Sequence, residues 1–145
     1  MTTEEVRAFL DSTYTAALSS ISPDGIPHTV AMWFLPDESE LRMWTYAKSQ
    51  KARNLQRDPA CSFMTERGEI YNELRGVQVR GRARVLTEFD DVSAIGRALY
   101  ERYMLPKTGI PLEGAVEEEV LRQAGKRIGI ALSMVDVSSW DHSKL

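Results

Sequence analysis

The run Trp44-Thr45-Tyr46-Ala47-Lys48-Ser49-Gln50-Lys51-Ala52-Arg53-Asn54-Leu55-Gln56-Arg57-Asp58-Pro59 joins two kinds of periodicity. Leu41 to Tyr46 alternates Leu41, Met43 and Thr45 against Arg42, Trp44 and Tyr46, which predicts a strand. Ser49 then stands where a helix N-cap belongs, and Asp58-Pro59 stops the helix near Arg57. A strand running into a helix N-terminus offers free backbone N–H groups and the positive end of the helix dipole. Lys48, Ser49, Gln50 and Lys51 fall at that junction, where two ammonium groups and a hydroxyl add charge-assisted hydrogen bonds. The junction is a candidate phosphate site. From Arg42 to Arg57 there are five basic residues and no acid, in a chain of net charge −3. Charge alone equally describes a solvated helix face; the location is what favours an anion.

Working outward, the N-terminus predicts a short helix. Thr2 with Glu5 forms a capping box, and Val6, Phe9 and Leu10 share one face. Thr13 to Ser22 reads as a first strand, and Ser22-Pro23-Asp24-Gly25 as a turn. Ile26 to Leu35 reads as a second strand, apolar on both faces and so expected to be buried on both sides. Ala60 to Glu66 is a fourth strand. Val77 to Thr87 is a fifth, with Val77, Val79, Gly81, Ala83 and Val85 opposite Gln78, Arg80, Arg82 and Arg84. Amphipathic helices follow, from Asp90 or Asp91 to Met104 and from Ala115 to Ala124, joined by a Pro/Gly loop over Leu105–Gly114. Arg127 to Val137 is the sixth strand. Strands do not alternate with long helices, so a doubly wound sheet is disfavoured. The expectation is a mainly β fold, a small antiparallel β-barrel with α-helices outside, as one domain over 1–145.

Composition narrows the function classes. At 145 residues, with 43% hydrophobic and 27% charged residues, the chain can bury a core unaided. One cysteine, Cys61, permits no internal disulfide and fits a reducing cytoplasm. With only His28 and His142 beside it, a Cys/His zinc site is disfavoured. The net negative charge argues against a nucleic-acid binder. No apolar run is long enough for a membrane helix, and Met-Thr-Thr-Glu-Glu does not open a secretory signal. Walker A, G-x-G-x-x-G and G-x-S-x-G patterns are missing. Beside the anion junction lie Met32, Trp33, Trp44 and Tyr46. Such residues are common core packing; next to a phosphate anchor they equally make a flat wall for a ring. The Arg80, Arg82 and Arg84 stripe reads as a solvated or subunit-facing strand face, and Cys61 and His28 as structural residues.

The motif Ser49-x-Lys51-x-x-Asn54-Leu55-x-x-Asp58-Pro59, entered from a strand, resembles the signature of the pyridoxamine 5′-phosphate oxidase-like proteins, which bind flavin or deazaflavin on a split β-barrel. Val77-Gln78-Val79-Arg80-Gly81-Arg82-Ala83 and the closing Ser139-Trp140-Asp141 agree with it. The resemblance implies a six-stranded antiparallel split barrel of the FMN-binding type. It also implies a homodimer, with the cofactor in a groove between two barrels. By position, Val30, Ala31, Met32 and Trp33 would line the ring. Trp44 and Thr45, with Lys48, Ser49, Gln50 and Lys51, would hold the phosphate side. Trp140 would reach the site of the other subunit. The chain has Gln50-Lys51 where pyridoxamine phosphate oxidases proper carry Arg-Lys, and it lacks their longer Arg- and His-containing ending. Its length, Lys48 and the Trp-Asp-His ending look more like the actinobacterial deazaflavin (F-420)-dependent branch. That branch implies hydride transfer between reduced F-420 and an unsaturated small-molecule acceptor such as an enone, a quinone or a tetrapyrrole-like compound. FMN is the alternative cofactor, and a non-catalytic cofactor or haem carrier the alternative role.

Overall fold

A computed structural model describes residues 1–145. Two antiparallel sheets carry the fold, and they do not close into one continuous barrel. The elements in chain order are α1 (Thr3–Ser12), β1 (Ala16–Ile21), β2 (Pro27–Met32), β3 (Leu35–Pro36), β4 (Glu40–Tyr46), α2 (Gln50–Arg57), β5 (Ala60–Arg67) and β6 (Arg75–Arg82). Then come β7 (Arg84–Leu86), α3 (Phe89–Leu99), α4 (Leu105–Thr108), α5 (Gly114–Ala124), β8 (Arg127–Ser133) and β9 (Asp136–Asp141). The first sheet has the order β2-β1-β5-β6-β9 and the second β3-β4-β8-β7.

Nine strands replace the six expected, and the difference has one cause. Three of the expected strands bend and change sheets part-way. The second becomes β2 and β3, the fifth β6 and β7, the sixth β8 and β9, each pair divided between the two sheets. At the β6–β7 corner the Ala83 N–H leaves the ladder and donates to Pro59 O at 2.8 Å. Alternation runs through the corner undisturbed, because Val77, Val79 and Ala83 all face the core. The expected loop over Leu105–Gly114 begins instead with the helical turn α4.

The core lies between the sheets. Leu18, Phe63, Val77 and Val79 come from the first sheet, and Leu41, Met43, Ile130 and Leu132 from the second. Phe34, at the β2–β3 corner, meets Phe63 edge to face at 5.0 Å. Each such side chain contributes roughly 1.5–3 kcal/mol by leaving water. Val6, Phe9 and Leu10 of α1 plug the same core, and the Thr2–Glu5 capping box forms as the spacing predicts.

The outer faces of the two sheets differ. Helices α3 and α5 cover the second, where Ile95, Leu99 and Tyr103 form a satellite cluster with Leu35 and pack Trp44 and Leu86 against it. The first has no helical cover: Thr29 and Ala31 of β2 and Met64 of β5 are exposed. The second expected strand is therefore not buried on both sides. β2 is an edge strand whose alternate residues look outward from a bare face. No helix is long and apolar enough to cross a membrane.

Candidate functional site

The junction from β4 into α2 forms as the sequence predicts. Ser49 caps α2 by accepting from the Ala52 N–H at 3.2 Å, and its hydroxyl lies 3.2 Å from Thr45 Oγ1. The remaining motif residues can be taken one at a time. Asn54 is fully buried; its Nδ2 donates to Ser20 Oγ at 3.0 Å, and its Oδ1 accepts from Gln50 Nε2 at 2.8 Å. It thereby ties α2 to β1. Leu55 enters the core. Asp58 Oδ1 accepts from the Ala60 N–H at 3.1 Å, and Pro59 O holds the Ala83 corner. Each of these five has structural work. Lys51 has none: no carboxylate lies within ion-pair distance, and burial pushes its ammonium pKa below the ordinary lysine value. A partly desolvated cation without an anion is what a ligand anion would satisfy.

Lys51 lines a cleft of about 290 Å³ with Ala31, Met32, Trp33, Trp44, Thr45, Tyr46 and Arg127. One wall is Trp33, which leaves the β2–β3 corner outward and stacks on Tyr103 with centroids 4.4 Å apart. Tyr103 is itself fixed. Its hydroxyl accepts from the Phe34 N–H at 2.9 Å and lies 2.8 Å from Tyr14 O, which can take its proton. The π-helical turn Tyr100–Met104 between α3 and α4 delivers this ring to the sheet. The other wall is Trp44, on the outward face of β4. Gly96 of α3 lets the ring approach, since a Cβ there would lie 2.4 Å from Trp44 Cζ3. The cleft is thus apolar on two sides and cationic at the end nearest α2. No cluster of three or more His, Cys, Asp or Glu side chains is placed to hold a metal.

Of the residues expected from sequence, Ala31, Met32, Trp33, Trp44, Thr45 and Lys51 come together here. Lys48, Ser49 and Gln50 stand on the adjoining turn and first helical residue. Val30 does not join them: its side chain faces inward and packs against the core. Trp140 lies on β9 opposite Gly76, at the far edge of the first sheet from β2. Tyr46, read from the sequence as part of the apolar wall, joins the cleft residues, whereas Arg127 was not expected in the cleft. Tyr46 carries a local signal, two residues before Lys48. Arg127 carries none, and only the pairing Tyr46↔Arg127 of β4 with β8 brings it in. A larger hollow of about 530 Å³ lies under α1, crossed at its rim by the Arg7–Glu38 ion pair. It holds none of the Ser49–Pro59 motif residues.

Comparison with known proteins agrees with this fold. The chain is similar to a conserved hypothetical protein, Rv2991, from Mycobacterium tuberculosis: 39% identity, TM-score 0.88, 99% of this chain and 87% of the other. It resembles a protein described as an F420 reductase at 26% identity and TM-score 0.67, covering 91% of this chain and 94% of that one. An FAD and heme binding protein from Mycobacterium smegmatis shares the fold at 16% identity and TM-score 0.73, over 94% and 69% of the two chains. No functionally curated protein matches the sequence. The model of the pyridoxamine 5′-phosphate oxidase family matches residues 2–141, a span that takes in both sheets, the strand-to-helix junction and the cleft, and the chain belongs to that family.

Proposed function

We propose that this chain is an F-420-dependent oxidoreductase, acting as one domain on an unsaturated small molecule in the cytoplasm. The single observation that carries the reading is Lys51, an unpaired and partly buried cation at the foot of an aromatic cleft. The donor set fits a phosphorylated ring cofactor. Lys51, Lys48 and the first-turn amides of α2 suit its phosphate, and Trp33, Ala31 and Trp44 suit the flat ring. Lys48 and Arg53 also lack carboxylate partners, so the junction carries more positive charge than one phosphate needs. That surplus, with the 26% identical F420 reductase, favours the multiply charged deazaflavin over FMN. When bound, the reduced coenzyme supplies a hydride. The protein's part is orientation: Tyr103 holds the Trp33 wall, Gly96 admits Trp44, and the α2 junction fixes the anionic end.

We also place a second copy of the chain on the bare face of the first sheet. Small side chains (Ala17, Ser19, Ala31, Ser62) leave that face flat. Continuing the registers Ala16↔Met32, Glu66↔Gly76 and Gly76↔Trp140 sets Trp33 and Trp140 at one level on opposite edges. A two-fold axis along the strands brings Trp140 of one copy to the cleft of the other, the role expected for it.

The test is a paired fluorescence titration with F-420 and FMN, then oxidation of reduced F-420 by candidate acceptors. Tighter F-420 binding that weakens in Lys51→Ala supports the proposal. Tighter FMN binding moves the protein to the flavin branch, and binding of neither removes the anchor. F-420 binding without turnover leaves a carrier.

A further inference from the structure

Arg127 is unlike most arginines of this chain. Arg42, Arg75, Arg80, Arg84, Arg97 and Arg122 each face a carboxylate. Arg127 faces none, yet it is held firmly. Its guanidinium carbon lies 4.1 Å from the Tyr46 ring centroid and 4.6 Å from that of Trp44. One terminal nitrogen, Nη1, donates to the backbone and side-chain oxygens of Gln123. Nε and Nη2 make no hydrogen bond within the protein. The half-buried group is thus held against two rings and Gln123, and left with unused donors beside a cleft.

Its place along the cleft is also set. Arg127 pairs with Tyr46, the last residue of β4, and the Ala47 N–H donates to Lys126 O at 3.0 Å. The start of β8 is therefore zipped to the turn that carries Lys48 and Ser49. Arg127 belongs to the same end of the cleft as Lys51 and the α2 N-terminus.

We propose that Arg127 is a second anchor for the anionic arm of the ligand, so that the cleft grips a phosphate ester from two elements, Lys51 on α2 and Arg127 on β8. The proposal rests on the cleft being the cofactor site. A planar guanidinium presents two parallel N–H donors to a phosphate, where an ammonium acts as a point charge. A pre-oriented fork loses little freedom on binding.

The experiment compares ligands that differ only in the anionic arm: FMN against riboflavin, and F-420 against its deazaflavin riboside without the phosphate arm. Each is titrated into the wild-type protein, Arg127→Gln, Arg127→Lys and Lys51→Ala. Loss of a charged hydrogen bond predicts that Arg127→Gln weakens the phosphorylated ligand about tenfold to a hundredfold. The unphosphorylated partner keeps its affinity. Arg127→Lys, which keeps charge but not the fork, falls between. Equal loss for both members of a pair makes Arg127 a ring contact or a structural residue and overturns the proposal; so does no loss for either. If Lys51→Ala discriminates between the pair and Arg127→Gln does not, the cofactor reading stands and this inference falls. If the wild type does not favour the phosphorylated ligands, both fall. Because each variant is its own control across the ligand pair, a change in folding stability does not imitate the effect.

Discussion

Gly96→Ala sets two effects of known size against each other. Gly96 lies inside α3, where alanine is the better helix former by roughly 0.8–1 kcal/mol. On propensity alone the variant gains stability. The added methyl, however, would sit 2.4, 2.8 and 3.2 Å from three carbons of the Trp44 ring. Optimal carbon contacts are about 3.5–4.0 Å, so the ring must retreat by roughly 1 Å. Arg127 lies over it at 4.6 Å, so the ring can retreat only by pushing the guanidinium aside toward the cleft. Overpacking of this kind costs about 1–3 kcal/mol, and a clamped ring belongs in the upper half of that range. The net expectation is a loss of about 1–2 kcal/mol, or roughly 3–8 °C in Tm for a domain of this size. Ligand binding should fall as well, since Trp44 moves into the space a ring would use. Calorimetry gives the first quantity and Trp fluorescence with ligand titration the second. A variant as stable as the parent, with unchanged affinity, would show that Trp44 is not wedged between α3 and Arg127, and the account of that wall would be wrong.

Four further outcomes are expected. Asn54→Ala strands the buried Ser20 hydroxyl and should cost about 1–3 kcal/mol in denaturant unfolding; a neutral result would deny that α2 is tied to β1 through this side chain. Lys51 has its pKa lowered by burial, so its charge is lost at lower pH than an ordinary lysine's. Affinity for a phosphorylated ligand should therefore fall as pH rises through that depressed value, and Lys51→Arg should abolish the fall; identical pH profiles count against Lys51 as the anchor. Cys61 is buried, with its pKa pushed up to about 11, so thiol reagents at neutral pH should label it only as the protein unfolds. Ala17→Arg, on the bare sheet face, should halve the sedimenting mass if two copies meet there while leaving the secondary structure intact by circular dichroism.

The sequence made the strands legible because residues facing the core alternate, and β4 reproduces the expected pattern residue by residue. It did not reveal the corners. Val77, Val79 and Ala83 keep one inward rhythm across the β6–β7 bend, and which sheet a residue joins depends on partners distant in the chain. β2 misled for a different reason. Apolar residues stand on both faces of the strand, but the pattern does not say whether anything covers the second, and within this chain nothing does. Lys51 was legible because cap, charge and helix start fall together in the sequence. Arg127 was not, because its meaning comes from lying opposite Tyr46. Val30 was placed at the ring by position along β2, but the pleat turns it to the core while Ala31 faces out.

The sheet order bears on how the chain is made. β8 is an inner strand of the second sheet, hydrogen-bonded to β4 on one side and to β7 on the other, and β9 completes the first sheet against β6. Both are made after every other strand of the two sheets. Until then β4 and β7 have no strand between them, and Leu41 and Met43 lack the Ile130 and Leu132 that share their core. An emerging chain can form hairpins, such as β1 with β2 or β5 with β6, but not the packed pair of sheets. Packing of the two sheets therefore waits for β8 and β9, and a chain stopped short of Arg127 leaves Leu41 and Met43 without those partners, open to chaperones and proteases.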